Sequence, residues 1–167
     1  MQSPFVILVD EQDNQIGTEE KIAAHKKALL HRAFSILIYN NKGEMLLQQR
    51  ALNKYHAGGL WTNACCGHPN PGETVEHAIH RRLKEEMGFD CELFKLEYMY
   101  YKLPISNGLT EHEYLHRYNG TYNGEITLNP EEAMASRWIT KENLEKEIQE
   151  NPEKFTPWFV LALQKFP

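Results

Sequence analysis

Residues Gly67–Phe89 read GHPNPGETVEHAIHRRLKEEMGF. Thr74 can cap a helix N-terminus, and Gly88 can take the left-handed conformation that ends one. Between them, Val75, Ala78, Ile79, Leu83 and Met87 fall on one side of a wheel turned 100° per residue. The spacing predicts a helix over 74–87 closed by Gly88. Two charges interrupt its apolar arc, Arg82 and Glu86, and Glu85 lies at the edge. Buried charges are costly unless paired or bound to metal. Two readings follow from periodicity alone: an Arg82–Glu86 pair four residues apart on a partly wet face, or a face that borders a polar site.

Around this helix the chain alternates strand and helix signals. Phe5–Asp10 is β-rich, and Glu19–Leu30 reads as a helical or partly helical segment. Ala33–Tyr39 and Glu44–Arg50 flank Asn40-Asn41-Lys42-Gly43, a hairpin signal. Residues 51–72 carry Gly58-Gly59, Gly67, Pro69, Pro71 and Gly72 and read as loop. A β-rich stretch, Leu93–Leu103, precedes a turn at Ser106-Asn107-Gly108 and a partner strand, Glu111–Asn119. A short strand ends at Trp138-Ile139. Lys141–Glu150 is a polar helix stopped by Asn151-Pro152, and Pro157–Phe166 is an apolar helix. The order implies an α/β fold, a mixed sheet covered by helices, in one compact domain over 1–167.

Composition narrows the function. Lys and Arg number 18 against 23 Asp and Glu, with no basic block, which excludes a sequence-independent grip on nucleic acid. No apolar run approaches the ~18 residues of a membrane span. The opening residues lack the basic region of a signal peptide. Three cysteines, two of them adjacent (Cys65, Cys66), make no disulfide framework, so a cytoplasmic protein is expected. The acidic excess disfavours an anionic ligand unless positive charge is gathered locally or metal ions intervene.

The run Gly67-x5-Glu73-x7-Arg81-Arg82-Leu83-Lys84-Glu85-Glu86-Met87-Gly88-Phe89 resembles the Nudix box, GX5EX7REUXEEXGU. One fixed position departs: Arg82 stands where the box has Glu. The resemblance implies an α/β/α sandwich, diphosphate-bearing substrates and divalent metal. Further segments are similar to the type I isopentenyl-diphosphate isomerase family. They are Trp61-Thr62-Asn63-Ala64-Cys65-Cys66-Gly67-His68-Pro69, Glu111-His112-Glu113, Thr156-Pro157-Trp158, and Glu20-Lys21-x3-His25-x5-His31.

That family interconverts isopentenyl and dimethylallyl diphosphate, moving a double bond through a tertiary carbocation. The chemistry needs an acid, a base across the carbon skeleton and a dry pocket tolerant of a cation. The resemblance implies Cys66 and Glu113 as acid and base, Tyr101 assisting Glu113, and Trp158 facing the cation. The spacing to Gly67-His68-Pro69 favours Cys66 over Cys65, and Trp61 competes with Trp158. Glu111 and Glu113, two apart on a strand, share a face and repel unless a cation lies between them. With His25, His31 and His68 they form a five-ligand set. The implied ion is Mg2+, with Mn2+ or Zn2+ possible, and Glu86 would help hold a second Mg2+ arriving with substrate. Lys21, Arg50, Lys54 and Arg82 are implied at the diphosphate. His56, His77, His80, His112 and His116 carry no role and are expected at the surface, with His112 facing away from the two glutamates. A monomer or homodimer is expected. The alternatives are a Nudix diphosphate hydrolase, and a non-catalytic module with zinc held by Cys66, His68 and His25.

Overall fold

The computed structural model describes residues 1–167. In chain order the elements are β1 (Phe5–Val9), β2 (Gln15–Glu20), α1 (Lys21–Lys26), β3 (His31–Tyr39), β4 (Met45–Arg50), β5 (Trp61–Asn63) and β6 (Cys65–Gly67). They continue with α2 (Val75–Met87), β7 (Phe94–Lys95), β8 (Met99–Pro104), β9 (Thr110–Thr121), β10 (Ala133–Ile139), α3 (Lys141–Glu150) and α4 (Pro157–Lys165). The sheet is mixed. β3 runs parallel to β9 from His31 opposite Glu113 to Tyr39 opposite Thr121, and the other pairings are antiparallel.

Strand alternation divides the core. Phe34, Ile36 and Ile38 of β3 and Leu46 of β4 pack with Val75, Ala78, Ile79, Leu83 and Met87 of α2. The intervening positions Ala33, Met45 and Leu47 pack on the opposite face with Leu144 of α3 and with Phe155, Trp158 and Phe159 at α4. Helices therefore cover both faces, as the α/β/α expectation requires.

The predicted helix is α2, its N-terminus capped by the Thr74 hydroxyl and its end closed by Gly88 at φ 74°. Gly67 answers a different demand: a Cβ there would lie 2.8 Å from the Phe34 ring tip, so only glycine lets β6 approach β3.

Three expectations change. The loop expected over 51–72 contains two three-residue strands, β5 and β6, and Cys66 lies in β6 rather than in a loop. The Asn40–Gly43 turn forms, yet β3 and β4 meet only at Tyr39 and Met45 and then diverge, β3 to β6 and β9, β4 to β5 and β10. Over 19–30 the helix is confined to Lys21–Lys26 and begins from β2.

Gly88→Ala should lower stability by more than about 1 kcal/mol, since alanine resists φ of 74° and its methyl would collide with the Thr127 carbonyl. A fall in the urea midpoint at constant m-value is the expected result. An unchanged midpoint would refute this account of the helix stop.

Candidate active site

The registers of β3, β8 and β9 assemble the centre. Glu111 and Glu113 are alternate residues of β9, both buried, while His112 between them turns away and bonds the Ala28 carbonyl. His31 of β3 and Tyr101 of β8 are the cross-strand partners of Glu113 on either side. The Tyr101 hydroxyl donates to Glu113 Oε1. Burial, reinforced by the Glu113 charge, raises the Tyr101 phenol well above its ordinary range, so it stays protonated.

His25 comes from α1, whose first turn is capped by the Glu20 carboxylate. His25, His31 and His68 converge so that their ligand nitrogens lie within 4.8 Å of one another, and His31, Glu111 and Glu113 form an equally tight group. His25 Nδ1 donates to the Lys21 carbonyl (2.6 Å) and His31 Nδ1 to the Leu29 carbonyl (2.9 Å). Nε2 of each ring faces a carboxylate, His25 to Glu111 at 3.1 Å and His31 to Glu113 at 3.4 Å. Burial lowers the His25 pKa, but the hydrogen bond and charge of Glu111 outweigh it and raise it overall. His31 Nε2 is buried without a hydrogen-bond partner. A ring nitrogen facing a carboxylate in a buried site needs a positive charge, carried by the imidazole or by an ion between the two groups, and backbone-anchored Nδ1 atoms are the usual arrangement for metal-binding imidazoles. Burial lowers the His68 pKa to about 4, leaving that ring in its neutral, ligating form. Three histidines and two carboxylates thus fit a divalent ion, and the Nudix expectation of metal is consistent with the donor set.

A hydrogen-bond chain holds Cys66. Asn63 Nδ2 donates to Ser35 Oγ and to the Ile36 and Cys65 carbonyls, which fixes the amide and aims Oδ1 at Cys66 Sγ (3.1 Å). Thr62 Oγ1 donates to the same Oδ1, and Thr156 Oγ1 donates to Thr62 Oγ1. The Trp61-Thr62-Asn63 and Thr156-Pro157-Trp158 segments are therefore two ends of one buried chain. Burial pushes the Cys66 thiol up to about 12 against the pull of Ser35 and Asn63. Cys65 points the other way, fully buried, its Sγ 3.0 Å from Glu86 Oε2.

The four expected basic residues line the same cavity as Cys66, Glu113 and Trp158. Lys21 has its pKa lowered first by burial and then by the Lys54 charge, with Arg82 and Arg50 adding to it. Cations crowded in this way favour an anionic guest. Arg82, whose position in the box belongs to a carboxylate, bonds Glu86 and Glu85 at 2.6 Å each and Glu132 at 3.0 Å. Both readings of the interrupted helix face therefore hold: the Arg82–Glu86 pair exists, and it lies at a polar cavity. Trp158 walls the cavity, while Trp61 lies instead beneath the Arg137 guanidinium at 4.6 Å.

Two histidines expected at the surface are buried. His56 bonds Glu111 Oε1, and His116 bonds Asp13, which also holds Arg32. Glu132, which bridges Lys54 and Arg82, carries no motif that would have marked it. His77 is exposed and His80 only partly covered.

The family model of the NUDIX domain matches residues 29–159. The chain is 47% identical over 160 residues to the isopentenyl-diphosphate Delta-isomerase of Burkholderia multivorans, covering 96% of this chain and 91% of that protein. Against the isopentenyl-diphosphate Delta-isomerase of Serratia proteamaculans the identity is 48%, over 96% of this chain and 89% of the relative. Among solved structures, a Deinococcus radiodurans protein superposes with a TM-score of 0.79 at 18% identity, covering 98% of this chain and 99% of its own. A MutT NUDIX hydrolase from Burkholderia pseudomallei superposes at 0.63 with 23% identity, covering 83% and 98%. The structures share the fold, and the relatives share nearly the full length at more than two-fifths identity: the chain belongs to the isopentenyl-diphosphate Delta-isomerase family of NUDIX-domain proteins.

Proposed function

We propose that this enzyme isomerises isopentenyl diphosphate to dimethylallyl diphosphate. The observation that carries the reading is the shared cavity: Cys66 and Glu113 line it beside Trp158, and Lys21, Arg50, Lys54 and Arg82 line it as well. The four cations bind the diphosphate. One proton is added to the terminal alkene carbon and one is removed from the neighbouring methylene, so the reaction needs no net proton and no water. Glu113 and Tyr101, hydrogen-bonded to each other, form the proton-holding pair on one side. Cys66, aimed by Asn63, exchanges the proton on the other. The Trp158 indole supports the tertiary cation through its ring face. Its own ring already lies 5.4 Å from the Arg50 guanidinium carbon.

His25, His31, His68, Glu111 and Glu113 would hold one divalent ion, which we assign as Mg2+, Mn2+ or Zn2+, and Glu86 would help hold a second with the substrate. When bound, such an ion supplies positive charge that offsets the paired carboxylates and tunes Glu113.

Arg82 weighs against a diphosphate hydrolase, because it replaces one box carboxylate and ties up Glu86. The zinc-module reading loses its thiolate: the metal-competent groups contain no cysteine, and the Cys66 thiol is bonded to Asn63. The three cysteines are free thiols, in keeping with a reducing cytoplasm.

Incubation with isopentenyl diphosphate and Mg2+, followed by proton NMR, should convert the terminal alkene signals into those of the dimethylallyl product. Cys66→Ala and Glu113→Gln should each lower kcat by at least about 10²-fold with circular dichroism unchanged, whereas Cys65→Ala should stay within several-fold. Release of phosphate without the allylic product would contradict the proposal. Because the Cys66 thiol is raised to about 12, its thiolate fraction should grow about tenfold per pH unit from pH 7 to 10. Peptide mapping after iodoacetamide treatment should show alkylation of Cys66 rising without a plateau over that range. A plateau near pH 8.5 would show an unperturbed thiol.

A further inference from the structure

His56 lies in the segment between β4 and β5, outside every motif of the chain. It is nevertheless 5% exposed, and its contacts reach both halves of the cavity. Its Nε2 is 3.1 Å from Glu111 Oε1. Its ring centroid is 5.2 Å from that of Trp158 and 4.1 Å from that of Tyr55. Tyr55 in turn lies beneath the Lys21 ammonium at 4.7 Å. The His56 carbonyl accepts from Arg50 Nη2 at 3.3 Å.

His56 is bonded differently from His25 and His31, and it differs from His68 in standing outside both metal-competent groups. His25 and His31 spend Nδ1 on backbone carbonyls and turn Nε2 toward the carboxylates. In His56 the Nδ1 is buried with no partner, and Nε2 is the atom that meets Glu111. In a neutral ring that nitrogen carries the hydrogen, since a carboxylate only accepts. His56 is therefore placed to donate, not to ligate. Glu111 is thereby divided: Oε1 is occupied by the His56 donor, and Oε2 is left facing His25 at 3.1 Å.

We infer that His56 is a positioning residue, which fixes Glu111 so that one carboxylate oxygen is presented to the ion and which braces the Trp158 indole against the same carboxylate. The inference rests on the proposed assignment of Glu111 as a metal ligand. A ligating carboxylate held by a buried donor binds metal more tightly than a free one, and loss of such a donor typically weakens affinity about 10–100-fold. Trp158 touches the imidazole, so loss of the donor should also reach the isomerisation step. The diphosphate is held by other residues, and KM should change less than kcat.

The test compares His56→Phe, which keeps a ring of similar bulk but has no donor, with His56→Gln, which retains an amide N–H at similar reach. His56→Asn is polar but a bond shorter and cannot crowd its neighbours. Metal affinity is read by competition with a chromophoric chelator, using Zn2+ and Mn2+ on full-length apo-protein, and kcat and KM are read on reloaded enzyme below each measured unfolding midpoint. Phe and Asn should weaken metal binding about 10–100-fold and lower kcat with KM within a few-fold, and Gln should recover most of both. Wild type with no metal affinity would overturn the metal assignment itself. Wild-type binding with all three variants equal to it, or with Gln as weak as Phe, would overturn the role of His56 alone.

Discussion

Glu111 and Glu113 sit two residues apart on one face of β9, 4% and 7% exposed. Two carboxylates this close in a poorly solvated site repel strongly, and ionised groups cannot remain there without compensation. Much of the molecule supplies that compensation. β3 runs parallel to β9 so that His31 falls beside Glu113, β8 brings Tyr101 to its other side, and α1 delivers His25 to Glu111. His68 arrives from the end of β6, at the glycine that lets that strand close on Phe34. A positive ion held within this ring of imidazoles would offset that repulsion, and under the proposed mechanism it would tune the Glu113 carboxyl for proton transfer.

The second half of the cavity inverts the charge balance of the chain. The sequence carries a net charge of −5, yet Lys21, Arg50, Lys54 and Arg82 line a single cavity. Binding of an anion depends on local field rather than on the total. Arg82 joins the two halves. In the box helix its position belongs to an acid, and a guanidinium stands there instead, paired with the box carboxylates Glu85 and Glu86 and with Glu132. Glu132 bridges Arg82 and Lys54 and keeps two cations in place that would otherwise repel.

Helix α2 was legible because its apolar spacing, Thr74 cap and Gly88 stop are all local. The Asn40–Gly43 turn was legible for the same reason, but a turn does not name the partners of its strands, and β3 turned to β9 instead of following β4. β5 and β6 are three residues each, too short to show alternation among glycines and prolines. The motif residues of the site converged because the family resemblance fixes them together. His56, His116 and Glu132 lie outside any pattern, and their burial comes from partners far along the chain, Glu111, Asp13 and Lys54. Thr62 and Thr156 show the middle case: each stood within a quoted segment, but only the fold reveals that they bond to each other on the way to Cys66.

In the proposed site, imidazole and carboxylate groups, and no thiolate, surround one ion at the Glu111–Glu113 pair. X-ray absorption at the zinc edge of protein reloaded with one equivalent of Zn2+ tests it directly. The predicted spectrum shows nitrogen and oxygen neighbours at about 2.0–2.2 Å with the multiple scattering of several imidazoles. A sulfur neighbour at about 2.3 Å, or a shell without imidazole scattering, would contradict it.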